Sequence, residues 1–137
     1  MVAAALRVYF ENSVGRILEH PDGYAWVQYH AGARELAYLQ AFLRHVGQLL
    51  TLRGWHKVLG DHRQLTPYTE QESQWIVAYW LSEEHQGRAI YGAVILPPAE
   101  WVQLPDPYRL QAAQAGVMTF RVFADDSAAL AWLGQQP

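Results

Sequence analysis

Apolar and polar positions change period several times along this chain, and each change predicts an element. Leu6 to Phe10 and Val14 to Leu18 are short β-rich runs joined by the polar trio Glu11-Asn12-Ser13, the pattern of a hairpin. In the next turn, His20-Pro21-Asp22-Gly23, proline presets φ and glycine supplies a positive φ. Tyr24 to Tyr29 follows as a third strand, so the chain is expected to open as an antiparallel meander. Over residues 33 to 53 the period lengthens. Leu36, Leu39, Leu43, Val46 and Leu50 recur at three and four, while Arg34, Glu35, Gln40, Arg44 and Gln48 lie off that stripe. Tyr38, Phe42 and Leu49 broaden the apolar face, and Arg53 followed by Gly54 closes the helix.

The stretch from Lys57 to Leu81 reads as strand, loop and helix. Val58 and Leu59 continue an apolar run from Trp55, Gly60 ends it, and Asp61, His62 and Arg63 bring three ionisable groups together at the sheet's edge, where sites tend to lie. Thr69 and Glu72 form a capping box, in which Thr69 accepts from the N–H of Glu72 and Glu72 reaches back to the N–H of Thr69. The helix it predicts runs from Glu70 to Glu84, and Glu70 and Glu72 suit the positive end of its dipole. From Trp75 to Leu81 this helix is apolar at every position, so it needs cover on all sides. One side can rest on a sheet. The other, carrying some of Trp75, Ala78, Tyr79 or Leu81, calls either for residues 99 to 116 of the same chain or for a partner surface.

Ala89 to Leu96 is nearly continuous in apolar residues and ends at Pro97-Pro98, as expected for a strand covered on both faces in the middle of a sheet. Residues 99 to 116 form a connection in which Asp106 can cap a short helix from Pro107 to Ala115, with Gly116 as its stop. Val117 to Phe123 is a last strand, and Asp125-Asp126-Ser127 caps a final helix through Trp132 and Leu133. The alternation of strands and helices, without repeat, linker or low-complexity tract, predicts one α/β domain over residues 1 to 137, a mixed sheet with helices packed on it.

The tail carries a resemblance. Phe120-Arg121-Val122-Phe123, followed by Asp125-Asp126-Ser127-Ala128-Ala129-Leu130-Ala131-Trp132-Leu133, resembles the closing strand and helix of SpoIIAA-like proteins, relatives of the STAS domain, where an acidic cap and an Ala-x-x-Trp-Leu helix are typical. The element order matches too, including an aspartate-containing loop before a helix, here Gly60-Asp61-His62-Arg63. The resemblance implies a SpoIIAA-like (STAS-like) fold and a role in protein interaction. The Asp-Ser-Ser-Gly type motif of its phosphorylated members is absent; His62 stands where the serine belongs, and the nearest hydroxyls are Thr66 and Thr69. Related folds also resemble lipid-binding Sec14 domains, which implies an apolar groove beside the helix that starts at Glu70.

Composition narrows the functional classes. Half of the residues are apolar, which excludes disorder, and the absence of cysteine excludes thiolate catalysis and Cys-based zinc sites. The net charge of -3, with positive charge scattered and no basic cluster, gives no footprint for nucleic acid. No apolar run approaches a membrane span and the N-terminal apolar stretch is short for a signal peptide, so the expected address is the cytoplasm. The histidines show no metal-ligand spacing, and no phosphate-binding loop or nucleophile motif occurs, so neither metal nor cofactor is expected.

Three functional expectations follow. The first is a non-enzymatic interaction module that binds a protein partner or forms a homodimer through Asp61, His62, Arg63, Tyr68, Trp75 and Tyr79. The second is a carrier of a small apolar ligand or lipid, in a groove between the helix from Glu70 and residues 99 to 116. The third is an enzyme with His62 as acid or base oriented by Asp61 and Arg63 gripping an anion. Against that triad stands a plainer arrangement, in which Asp61 bonds loop amides, Arg63 pairs with Asp61 or with a nearby helix, and His62 is solvated.

Overall fold

The computed structural model describes residues 6–82 and 88–137. Seven strands form one mixed sheet: β1 (Arg7–Glu11), β2 (Gly15–His20), β3 (Tyr24–Tyr29), β4 (Lys57–Asp61), β5 (Ile90–Ile95), β6 (Ala113–Ala115) and β7 (Met118–Phe123), in the order β1-β2-β3-β4-β5-β7-β6. The meander β1 to β3 is antiparallel; β3, β4, β5 and β7 then run parallel, and β6 closes the far edge antiparallel to β7. The helices are α1 (Leu36–Arg53), α2 (Glu70–Leu81), α3 (Pro98–Gln103), α4 (Asp106–Leu110) and α5 (Asp126–Gly134). The α/β class, the opening meander and the interior position of β5 agree with the sequence pattern, and none of the described helices is long and apolar enough to cross a membrane.

Strand alternation sorts the apolar residues into two cores. Ile17, Ala25, Val27, Tyr29, Val58 and Ile90 face α1 and α2, where Leu39, Phe42, Leu43, Val46, Leu49 and Leu50 supply the helical stripe. Tyr24, Leu59, Ala93, Ile95 and Phe123 face the other way, onto Ala129 and Leu133 of α5. Local signals at the helix ends hold as well. Gly54 ends α1 at φ 66, both halves of the Thr69/Glu72 capping box form, and the Asp125 carboxylate accepts from the N–H of Ala128.

Residues 99 to 116 differ from expectation. In place of one helix over Pro107–Ala115, two short helices lead into β6. Asp106 lies inside the first turn of α4 and pairs with Arg109 rather than capping. Gly116, at φ 60, turns the β6–β7 hairpin instead of stopping a helix, and a Cβ there would lie 2.5 Å from the carbonyl of Trp80. That close approach lets the Val117 N–H reach the Trp80 carbonyl, which as a last-turn carbonyl of α2 lacks an intrahelical partner. The 99–116 segment therefore covers the C-terminal end of α2 through its hairpin. The expected continuation of α2 to Glu84 lies outside the described residues.

Candidate functional site

Between α2 and the sheet lies a hollow of about 260 Å3, walled by Val27, Leu43, Val46, Val58, Ile76, Trp80, Val94, Met118 and Phe120. Its position follows from two glycines. Gly60 on β4 and Gly92 on β5 stand on the α2 side of adjacent parallel strands, where the other inward positions carry Val58, Ile90 and Val94. Neither has a positive φ, so backbone conformation does not demand glycine at either place. The nearest atoms to a Cβ on Gly92 would be those of the Met118 and Phe120 side chains, and to one on Gly60 the His62 ring and the Ala93 carbonyl, at 3.0 Å or more. What the glycines remove is side-chain volume.

One end of the hollow is polar. His62 follows β4, and the alternation that puts Asp61 on the α5 side turns the imidazole into the hollow. Its ring meets those of Tyr29 and Tyr68 edge-on, at 5.0 and 6.0 Å between centroids, and the Tyr68 hydroxyl donates to that of Tyr29 at 2.8 Å. Among the described residues neither imidazole nitrogen has a hydrogen-bond partner. Burial lowers the His62 pKa from its ordinary 6.5 to about 4; the Asp61 charge opposes that shift and the Arg34 charge adds to it. At neutral pH this imidazole is uncharged, with one N–H donor and one acceptor nitrogen. Burial likewise raises the Tyr29 hydroxyl to about 12 and pushes Tyr68 well above 10.

Behind Tyr68, Arg34 fixes the loop that carries the polar end. Its Nε and Nη2 donate to the two Glu72 oxygens at 3.0 and 2.8 Å, while Nη1 reaches the Thr66 carbonyl at 2.6 Å and Nη2 that of Pro67 at 3.2 Å. The guanidinium also lies 5.3 Å from the Tyr68 ring centroid. The two side chains are only 4% and 5% exposed, so the pair is a buried one with its charge compensated. Hydrogen bonding to Arg34 holds the Glu72 carboxyl below its ordinary value and leaves it ionised to accept from the Thr69 N–H at 2.8 Å.

The residues expected to form a site are thus divided. His62 and Tyr68 line the hollow. Asp61 and Arg63 do not: Arg63 donates to both oxygens of Asp61, at 3.0 and 2.8 Å, and its backbone N–H bonds the same carboxylate. Of the plainer arrangement, the Asp61 and Arg63 contacts are therefore present, but the solvated histidine is corrected, because the Asp61/His62 boundary separates the two faces of the sheet. Nor does Asp61 orient the imidazole: no hydrogen bond joins them among the described residues. Tyr79 is 8% exposed and belongs to the core, and Trp75 stacks on it at 5.1 Å between centroids. The outward stripe of α2 is Gln71, Gln74, Ala78 and Leu81, so of the positions expected to need a second cover Ala78 and Leu81 are exposed, while Ser73 and Val77 line the hollow. The groove expected between α2 and residues 99 to 116 lies elsewhere, beneath α2 itself. Among the described residues no group of His, Asp and Glu is placed to hold a metal ion.

The sequence reading missed Gly60, Gly92 and Arg34. An isolated glycine inside a β-rich run is a recognised signal of a local anomaly, and Gly92 within Ile90–Ile95 was such a signal. Arg34 carried none, because its partner is 38 residues away. Comparison with family models, curated proteins and solved structures yields no match.

Proposed function

We propose that this chain binds a small, uncharged, largely apolar molecule beneath α2, with a hydroxyl or carbonyl of the ligand on His62 and Tyr29. The observation that carries the reading is a hollow of about 260 Å3 made by two strand glycines and ended by a neutral imidazole without a partner. An apolar cavity of roughly 150 Å3 takes a benzene-sized molecule. On that scale this one suits about ten non-hydrogen atoms. Trp80 is part of the wall, so filling the hollow changes the surroundings of one indole. The test is native mass spectrometry of freshly purified protein together with a tryptophan-fluorescence titration with n-octanol. A carried neutral mass, or a saturable change lost in His62→Phe and Gly92→Val, supports the reading; no saturable change in folded protein overturns it.

A second reading rests on the outer stripe of α2, where Ala78 is exposed and Leu81 is 60% exposed. In it, this stripe is a contact for a protein partner or a second copy, as the interaction-module expectation required, but through Ala78 and Leu81 instead of Trp75 and Tyr79. The same mass spectrum tests it: a dimer that Leu81→Arg converts to monomer supports it, and a monomer at high concentration opposes self-association. The SpoIIAA-like kinship remains part of the proposal, supported by the closing strand and acid-capped helix over Phe120–Leu133.

A further inference from the structure

A second hollow, about 570 Å3, lies beside the first, beneath the two short helices α3 and α4. Strand register puts both on one face of the sheet. On β5 and β7, Gly92 pairs with Phe120 and Val94 with Val122, and every second residue of a strand shares a face. Gly92, Val94, Met118 and Phe120 line the hollow beneath α2, so Val122 belongs to that face as well. Leu96 carries the β5 series one step further, its N–H still bonded to the Phe123 carbonyl of β7. Leu96, Phe120 and Val122 form the floor of the second hollow, and Leu104, Pro107 and Tyr108 supply its cover. β6 pairs with β7 only as far as Phe120, which leaves the sheet beyond that point to α3 and α4.

Phe120 belongs to both hollows. Its Cβ would lie 3.7 Å from a Cβ on Gly92, so the base of the side chain borders the space that this glycine leaves. Beside it, Val94 faces the first hollow and its strand partner Val122 the second. The two spaces therefore meet at one half-buried phenyl ring, which is held by side-chain torsions alone and can turn without moving the backbone. From Gly60 on β4 to Phe120 on β7 is two strand spacings, about 10 Å. A chain that starts at His62 and crosses Gly60 and Gly92 arrives at Phe120, where the second hollow begins. Among the described residues no cation faces that second space: the register puts the Arg121 side chain on the opposite face with Ala93 and Phe123, and the charged side chain at the rim is Glu100, exposed on α3.

From the common face, the shared Phe120 and the lack of a facing cation, we infer that the two hollows are halves of one site for an uncharged molecule with a single long alkyl chain, its polar head on His62 and Tyr29 and its tail carried past Phe120 to Val122 and Leu104. This rests on the ligand-binding reading of the hollow beneath α2, and it adds the class of the ligand and the course of its tail. A short ligand fills the first half alone. Each methylene that leaves water for apolar surroundings tightens binding about fourfold, so added chain length becomes added affinity only where the second half takes it up.

The probes are n-octanol and n-dodecanol, titrated into the intact chain and followed by tryptophan fluorescence and amide chemical shifts. Octanol is expected to shift Ile76 and Met118; dodecanol is expected to shift these and also Leu104 and Tyr108, and to bind roughly tenfold tighter or more. Leu104→Trp, which fills the second hollow, and Phe120→Trp, which narrows the passage, should each reduce the dodecanol-to-octanol affinity ratio by about tenfold. Saturable octanol binding with no gain for dodecanol, dodecanol shifts that stop short of Leu104 and Tyr108, octanol shifts there as large as those of dodecanol, or an undiminished ratio in both folded variants overturns the inference and leaves the reading beneath α2 in place. Saturable binding by neither alcohol overturns both. The two-alcohol comparison uses the unaltered chain, so it decides the matter even if neither variant folds.

Discussion

Replacing Gly92 by valine tests whether the hollow beneath α2 exists at all, because the expected sign is opposite to that of an ordinary core position. The backbone there does not require glycine, so a side chain restricts the unfolded chain and stabilises by about 0.4–1 kcal/mol. Three added carbons enter apolar space at up to about 0.8 kcal/mol each. Against this, the Cβ would lie 3.0 Å from the sulfur of Met118, which must move. Overpacking costs roughly 1–3 kcal/mol, and a flexible thioether with room beside it belongs at the low end. The net expectation is stabilisation by about 1–2 kcal/mol, or a rise in Tm of about 4–8 °C. At about 25 Å3 per carbon, the substitution also fills roughly 75 Å3 of the 260 Å3 present. Urea denaturation followed by tryptophan fluorescence gives the stability, and an n-octanol titration gives the binding. A more stable protein that binds more weakly is the expected pair of results. Destabilisation by more than about 1 kcal/mol, the usual outcome of overpacking, would mean that Gly92 sits in filled space and would remove the basis for the site.

Stability should fall with acid in a window set by His62. Its folded pKa of about 4 lies below the ordinary 6.5, so the unfolded chain takes up the proton first: the stabilisation is complete above about pH 6.5 and is lost as pH falls toward 4, by at most about 3 kcal/mol. Denaturation curves between pH 4 and 7.5 should show this slope, and His62→Phe should flatten it; Asp61 and Glu72, both lowered, add their own losses only at more acid pH. Arg34→Met leaves the Glu72 carboxylate buried without its cation and should cost about 3–5 kcal/mol, whereas Thr69→Ala, which removes one cap bond, should cost about 1 kcal/mol; equal costs in urea melts would show that the ion pair is not buried as described. Gly116→Ala should destabilise by about 2 kcal/mol or more, since it combines a left-handed φ with a clash against the α2 backbone, and an unchanged Tm would contradict the close hairpin contact.

What was legible in the sequence was local. The capping box at Thr69, the Asp125 cap, the Gly54 stop and the period of α1 each involve residues within a turn or two of one another, and physical chemistry at that range needs no knowledge of the fold. The site was legible only in part because it depends on registers that local signals do not set. Taking Gly60 as the end of β4 left Asp61, His62 and Arg63 as one loop cluster. The strand in fact runs through Asp61, and that one-residue difference sends His62 to one face and the Asp61–Arg63 pair to the other. Glu72 was read correctly as a cap, yet its second task, neutralising Arg34 across 38 residues, has no local trace. The segment over 107 to 115 failed for the same reason: Ala113-Gln114-Ala115 has no strand propensity to speak of, and it becomes β6 because β7 offers an edge.

Phe120 stands at the β7 end of the hollow beneath α2. Beneath α2, among the described residues, no positive charge is available to a ligand: His62 is neutral, and Arg34 uses four of its five N–H groups on Glu72, Thr66 and Pro67. A carboxylate entering there would lose its hydration without gaining a counter-ion, a loss of several kcal/mol. Charge, more than size or shape, is therefore what would sort ligands at this site. The discrimination depends on Arg34 remaining bound to Glu72: in Glu72→Gln the guanidinium beside Tyr68 is left with excess positive charge, and n-octanoate should then bind beneath α2 where in the unaltered chain only n-octanol does. Chemical shifts of Ile76 and Met118 read this directly. If octanoate still avoids that hollow in a folded Glu72→Gln variant, the Arg34–Glu72 pair is not what keeps it neutral.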